Sequence, residues 1–221
     1  MKMSQRVAWA FVSILAVAIA APNLLPAGEG AADGWTALVN GTDLQGWKFH
    51  FGKQGAGNDG TFTVKDGILI CSGTPAGYMY TEKSYGNYTL QCAFAFKRPA
   101  GLQDDAEFRG NSGCLIHVGQ KNALGVWPRS IEVQGAYRQL GIILPIPRDL
   151  KCRHTFDKQA LARVIKPVGE FNQLEIEVKG GNMVISVNGA VVSTVSDCEL
   201  TQGPIGLQSE GAETHWKTIR I

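Results

Sequence analysis

Apolar and polar residues alternate with a period of two along most of this chain. Between residues 88 and 97, Tyr88, Leu90, Cys92, Phe94 and Phe96 fall on one side, the spacing that sends successive side chains to opposite faces of a β-strand. Leu174, Ile176 and Val178 make a second row, broken by Gly180 and Gly181. Met183, Ile185 and Val187 make a third, ended by the turn pair Asn188 and Gly189. Residues 61–64 and 68–71 flank Asp66 and Gly67, a favoured hairpin dipeptide. Residues 191–195 and 214–221 add further strands. Only residues 157–164, where Ala160, Leu161 and Ala162 cluster, predict a short helix. Many short strands at close spacing predict an all-β sandwich of two antiparallel sheets in one domain. Residues 50–60, Gly-rich and polar, read as a surface loop. Residues 135–167, with Pro145, Pro147 and Pro167, form the longest stretch without a strand period. In a sandwich, such an excursion covers or edges a binding face.

One strand carries chemistry. Over residues 127–135, Ile131 and Val133 point one way while Ser130, Glu132 and Gln134 point the other, preceded by Trp127 and Arg129. The flat face of a pyranose stacks on indole while its hydroxyls require hydrogen bonds, so this row suits a sugar-binding surface. An ordinary solvated strand face with one core tryptophan explains it equally well at this point.

Charge narrows the partners. The 221 residues hold 21 basic and 19 acidic side chains. Lys2 and Arg6 precede an apolar run over residues 7–21 with Ala18, Ala20 and Ala21 at its end, the pattern of a cleaved export signal spanning about residues 1–21. The run is shorter than the ~20 residues that span a bilayer, so stable membrane insertion after cleavage is not expected. Without that segment, 19 basic residues face 19 acidic ones, scattered and with no basic stripe, which argues against nucleic acid. The expected location is periplasmic or extracellular. The cysteines Cys71, Cys92, Cys114, Cys152 and Cys198 match no metal-ligand spacing, and an odd number leaves at least one thiol unpaired. Cys92 and Cys114, in apolar runs, read as buried free thiols.

Four blocks together resemble the 3-keto-disaccharide hydrolase family, also described as a 3-keto-glucoside 1,2-lyase/hydratase domain. They are the opening stretch from Gly34 to Trp47; Asn111, Ser112 and Gly113 with the strand behind them; the Glu-x-Gln of Glu132 and Gln134; and the run from Gly203 to Gly211, followed by the closing Ile219, Arg220 and Ile221. The resemblance covers residues 34–221. It implies a concanavalin A-like jelly roll whose concave sheet receives sugars. Two departures stand out: His117 where many members have arginine, and residues 137–141 where others have a Gly-Asp pair.

The resemblance also implies a reaction. A 3-keto group acidifies the C2 proton of the sugar; its loss lets the C1 oxygen leave by β-elimination, and water then adds across the double bond. This needs a base for C2–H, a proton donor for the leaving oxygen and hydrogen bonds to the enolate. Glu132 and His117 are the expected acid/base pair, because alternation on neighbouring strands would put both on one face, and either order of roles is open. Arg129 would bind the keto oxygen, Trp127 would stack on the ring, and Gln134, Asn111, Gln208 and Glu210 would orient hydroxyls. No cofactor is expected, and a divalent cation is left unassigned because no clustered ligands name one. A sugar-binding module without catalysis remains the alternative, since the same sandwich serves both roles.

Overall fold

The computed structural model describes residues 34–52 and 57–221. The export signal expected over residues 1–21 lies outside them. Among the described residues, fourteen strands form two antiparallel sheets, giving a concanavalin A-like jelly roll. One sheet has six strands, in the spatial order β1 (Trp47–Phe51), β4 (Gly77–Thr81), β13 (Gly206–Ser209), β6 (Gly113–Ile116), β7 (Ser130–Gln134) and β8 (Ile143–Ile146). The other has eight: β2 (Phe62–Lys65), β3 (Ile68–Cys71), β14 (Thr214–Arg220), β5 (Asn87–Phe96), β10 (Asn172–Lys179), β11 (Asn182–Val187), β12 (Ala190–Ser196) and β9 (Arg153–Phe156).

The core lies between the sheets. Leu90, Cys92, Phe94, Leu174, Ile176 and Val178 from the larger sheet meet Met79, Cys114, Ile116, Ile131, Val133 and Leu207 from the smaller one. Full burial of each such aliphatic or aromatic side chain stabilises the fold by roughly 1.5–3 kcal/mol before chain entropy is counted. All five cysteines are free thiols, and Cys92 and Cys114 are both buried. Contact with Cys92 and loss of water hold the Cys114 thiol well above its usual range. No helix among the described residues is long and apolar enough to cross a membrane.

Two expectations change. The proline-containing stretch 135–167 holds two strands and a helix, not one long irregular excursion. Pro145 sits in β8 opposite Ile131. As β8 is an edge strand, one of its sides has no ladder to complete and a missing N–H is tolerated there. The helix α1 (Lys158–Val164) falls where expected, with the Asp157 carboxylate accepting from the Gln159 and Ala160 N–H groups at 2.9 and 2.8 Å. His50, expected in a loop, belongs to β1, paired with Tyr78.

Candidate active site

The outer face of the six-stranded sheet is built from cross-strand rows. Glu132 on β7 lies opposite Leu115 on β6 and Leu144 on β8, while Leu115 in turn faces Gly206 and Gly206 faces Tyr80. Beside that row, Gln134 pairs with Gly113, and Gln208 pairs with Tyr78. Gly113 is glycine for a local reason: a Cβ there would fall 2.6 Å from Gln208 Oε1 and 2.8 Å from the Val133 carbonyl. The Asn-Ser-Gly motif thus opens the floor that the Gln208 amide occupies. The Ser112 hydroxyl also donates to the Gln208 carbonyl at 3.0 Å.

An apolar shoulder adjoins these polar rows. Tyr78, Leu115, Val118 and Ile146 form a buried cluster separate from the main core, with Tyr80 and Trp127 packed against it. A cavity of about 510 Å³ opens on this face, within the range of small-molecule sites. Asn111, Trp127, Glu132, Gln134, His154 and Glu210 are among its walls.

Glu132 dominates the electrostatics. It is only 6% exposed, and its pKa is pushed up to about 7, first by burial and then by the charge of Glu210, with Gln208 pulling the other way. The Gln208 carboxamide lies close enough to favour the ionised carboxylate, yet neither of its polar atoms reaches hydrogen-bonding geometry with a described protein group. Glu210 is also raised by burial, with Asn111 opposing that shift. A buried carboxylate titrating near neutrality is suited to moving a proton in either direction. Gln134 commits its Oε1 to the Gly135 and Ala136 N–H groups at 2.8 and 3.1 Å, so its NH₂ is the half left for a ligand. The Tyr78 hydroxyl, fully buried, also lacks a hydrogen-bond partner among the described residues. Buried polar groups of this kind are costly unless a ligand or water completes them.

Of the residues expected at a site, Glu132, Trp127, Gln134, Asn111 and Glu210 line this cavity, and Gln208 flanks Glu132. Two are placed elsewhere. His117 does not share the face of Glu132: β6 ends at Ile116, and His117 takes φ +57°, which breaks the alternation. It is 1% exposed, its Nδ1 lies 3.1 Å from the Leu200 carbonyl, and its ring meets Tyr88 edge-on. Burial lowers its pKa, disfavouring the charged imidazolium, with the Leu200 carbonyl pulling the other way. Arg129 pairs with Glu199 at 2.8 Å and is not among the cavity walls. The sequence pattern points to neither Tyr78 nor Tyr80, and it offers His154 no constellation. The Tyr-x-Tyr spacing of β4 was the available signal for the first two, whereas His154 arrives from β9 through tertiary packing alone. No group of three or more His, Cys, Asp or Glu side chains that could hold a metal ion occurs among the described residues.

Residues 34–221 match the 3-keto-alpha-glucoside-1,2-lyase-like domain. The chain belongs to that family. Among curated proteins, none matches the chain significantly. Solved structures similar to this 3-keto-alpha-glucoside-1,2-lyase-like domain include two putative glycosyl hydrolases from Parabacteroides distasonis. One is 20% identical with a TM-score of 0.63, covering 89% of this chain and 97% of that one. The other is 21% identical with a TM-score of 0.54, covering 79% and 97%. The carbohydrate binding module CBM66 from Bacillus subtilis is similar at 14% identity and a TM-score of 0.50, covering 79% and 93%. At these identities the likeness speaks to the fold; the family assignment indicates a carbohydrate-active protein acting on a small sugar.

Proposed function

We propose that this lyase-like domain cleaves 3-keto-glycosides by elimination across C1–C2 followed by hydration, a net hydrolysis. The observation that carries this reading is a buried carboxylate, Glu132, pushed to about 7 within a cavity also walled by amides and tryptophan. Glu132 takes the C2 proton, and the C2–H electron pair is delocalised onto the 3-keto oxygen as an enolate. The enolate collapses to a C1=C2 double bond as the C1–O bond breaks, and the leaving oxygen takes a proton. Water then returns OH to C1 and H to C2. No oxidant or reductant is consumed. The amide NH₂ groups of Gln134 and Gln208 suit the enolate oxygen, since donors preset where charge develops contribute most in a dry site. His154 replaces His117 as the proton donor to the leaving group, because it lines the same cavity as Glu132. Trp127 offers the apolar face for the ring. Export belongs to the same proposal and rests on Lys2, Arg6 and the apolar run over residues 7–21.

The test incubates purified protein with a 3-keto-glucoside and follows ultraviolet absorbance and product mass. Transient enone absorbance followed by free 3-keto-glucose is the expected result. Saturable binding of ordinary glycans with no turnover would overturn it in favour of a sugar-binding module.

A further inference from the structure

A second cavity of about 640 Å³ adjoins the first, and Asn111 and Gln134 are walls of both. The two differ in charge. The Glu132 cavity is walled by two carboxylates, Glu132 and Glu210, set against one arginine, Arg148, with His154 beside them. The annexe has no acidic wall residue and carries three cations, Arg109, Arg138 and Lys158. Its apolar walls include Phe108, Tyr137 and Phe156.

The cations are unspent. None of the three lies within 4 Å of a carboxylate in the ion pairs formed by the described residues. Arg109 is steadied by Nη1 bonds to the Ala106 and Phe108 carbonyls at 2.5 and 3.1 Å. Arg138, held at φ +64°, lies 5.8 Å from the Tyr137 ring. Asp105, bonded to the annexe wall residue Tyr137, is engaged elsewhere: it accepts from Arg98 at 2.6 Å, the Val168 N–H at 2.9 Å and the Tyr137 hydroxyl at 3.2 Å. Asp105 therefore anchors the annexe wall without neutralising its interior.

We propose that the annexe is a leaving-group subsite for a carboxylate-bearing ring. This deepens the reading above and rests on the Glu132 cavity as the seat of the reacting sugar. A ligand spanning Asn111 and Gln134 with one neutral and one anionic end has one favoured orientation. In the Glu132 cavity the pull of Arg148 on the anion is opposed by Glu132 and Glu210, whereas in the annexe Arg109, Arg138 and Lys158 attract it unopposed by any acidic wall, and the aromatic walls take the ring faces. The neutral keto sugar is thereby directed over Glu132, with its C1 oxygen pointing to the annexe. The substrate class implied is a 3-keto-glycoside of an aromatic or sugar acid.

Binding tests this without turnover. Titration calorimetry would compare 4-hydroxybenzoate with 4-hydroxybenzamide, and glucuronate with glucose, on the full protein. The carboxylate of one or both pairs is expected to bind about tenfold tighter than its neutral partner, as a partly exposed charge-assisted contact allows. The preference should shrink by more than half at about 0.5 M salt and disappear in the double variant Arg109→Gln/Arg138→Gln. The pair that shows the preference identifies the aromatic or the sugar acid as the leaving group. Equal binding of acid and neutral partner in both pairs by the wild-type protein overturns the proposal, as does a preference that survives the double variant at an unchanged melting temperature. If the double variant fails to fold, the salt dependence of the wild-type preference decides. A preference found alongside no turnover of any 3-keto-glucoside leaves the subsite standing and removes the elimination reading. Turnover without a preference does the reverse.

Discussion

The two sheets share one core but treat their outer faces in opposite ways. On β10, burial alternates as the strand period requires: Leu174, Ile176 and Val178 are inside, while Gln173, Glu177 and Lys179 are exposed. On β7, all five residues are buried, including Ser130, Glu132 and Gln134 on the outer face. Glu177 and Glu132 are thus the same residue type on outward strand positions with different fates. One keeps its water; the other has lost it and has no basic partner among the influences on its ionisation. Solvated carboxylates keep a sheet soluble at little energetic consequence. A desolvated carboxylate left without a cation is costly, and that contrast is why the proposed function is built on the six-stranded sheet.

The sharpest way to break this comparison is to neutralise both glutamates. Glu132→Gln should lower kcat/KM on a 3-keto-glucoside by about 10³-fold or more, whereas Glu177→Gln should stay within about twofold. Steady-state kinetics of the two variants would check this. Next in size is Gly113→Ala. The added methyl meets Gln208 Oε1 and the Val133 carbonyl, so a loss of roughly 1–3 kcal/mol in denaturant unfolding is expected, with the Gln208 amide displaced.

The stability of the Glu132→Gln variant relative to wild type should also depend on pH. For Glu132 the folded pKa, about 7, lies above the ordinary value of 4.5, so the folded state binds more protons between those values. Its burial penalty is absent below the lower value, grows through that window and is complete above about 7. Glu132→Gln should therefore raise stability by on the order of 2 kcal/mol at pH 8 and change it little at pH 4, as read from thermal melts. The smallest effect is expected at Arg129→Ala, which removes a half-exposed ion pair with Glu199 worth about 0–1 kcal/mol and leaves turnover within about threefold.

The legible parts of this molecule were those whose signals are local. The rows of β5, β10 and β11 were visible because one face is buried and the other is wet, and the β7 row stood out because its polar side chains are unusual for a strand. Two of the strands not legible in the sequence were hidden for opposite reasons. β4 places Tyr78 and Tyr80 outward against Met79 inward, so both faces look apolar and the alternation vanishes. β8 contains Pro145, which reads as a break but is tolerated at a sheet edge. The error at His117 came from extending a period of two through a residue that adopts a positive φ. His154 and the cationic annexe depend on contacts between distant segments, which no local pattern encodes. The glutamate and amides were legible as residues, but the near-neutral titration of Glu132 arises only when β7, β13 and Glu210 come together.

The most direct test of the claim that Glu132 moves the C2 proton is a mass-spectrometric assay of a 3-keto-glucoside deuterated at C2. Wild-type protein should release that deuterium in step with or ahead of C1–O cleavage, and Glu132→Gln should retain it in unreacted substrate. Deuterium loss by Glu132→Gln at the wild-type rate would contradict the account and place the base elsewhere on the outer face of the six-stranded sheet.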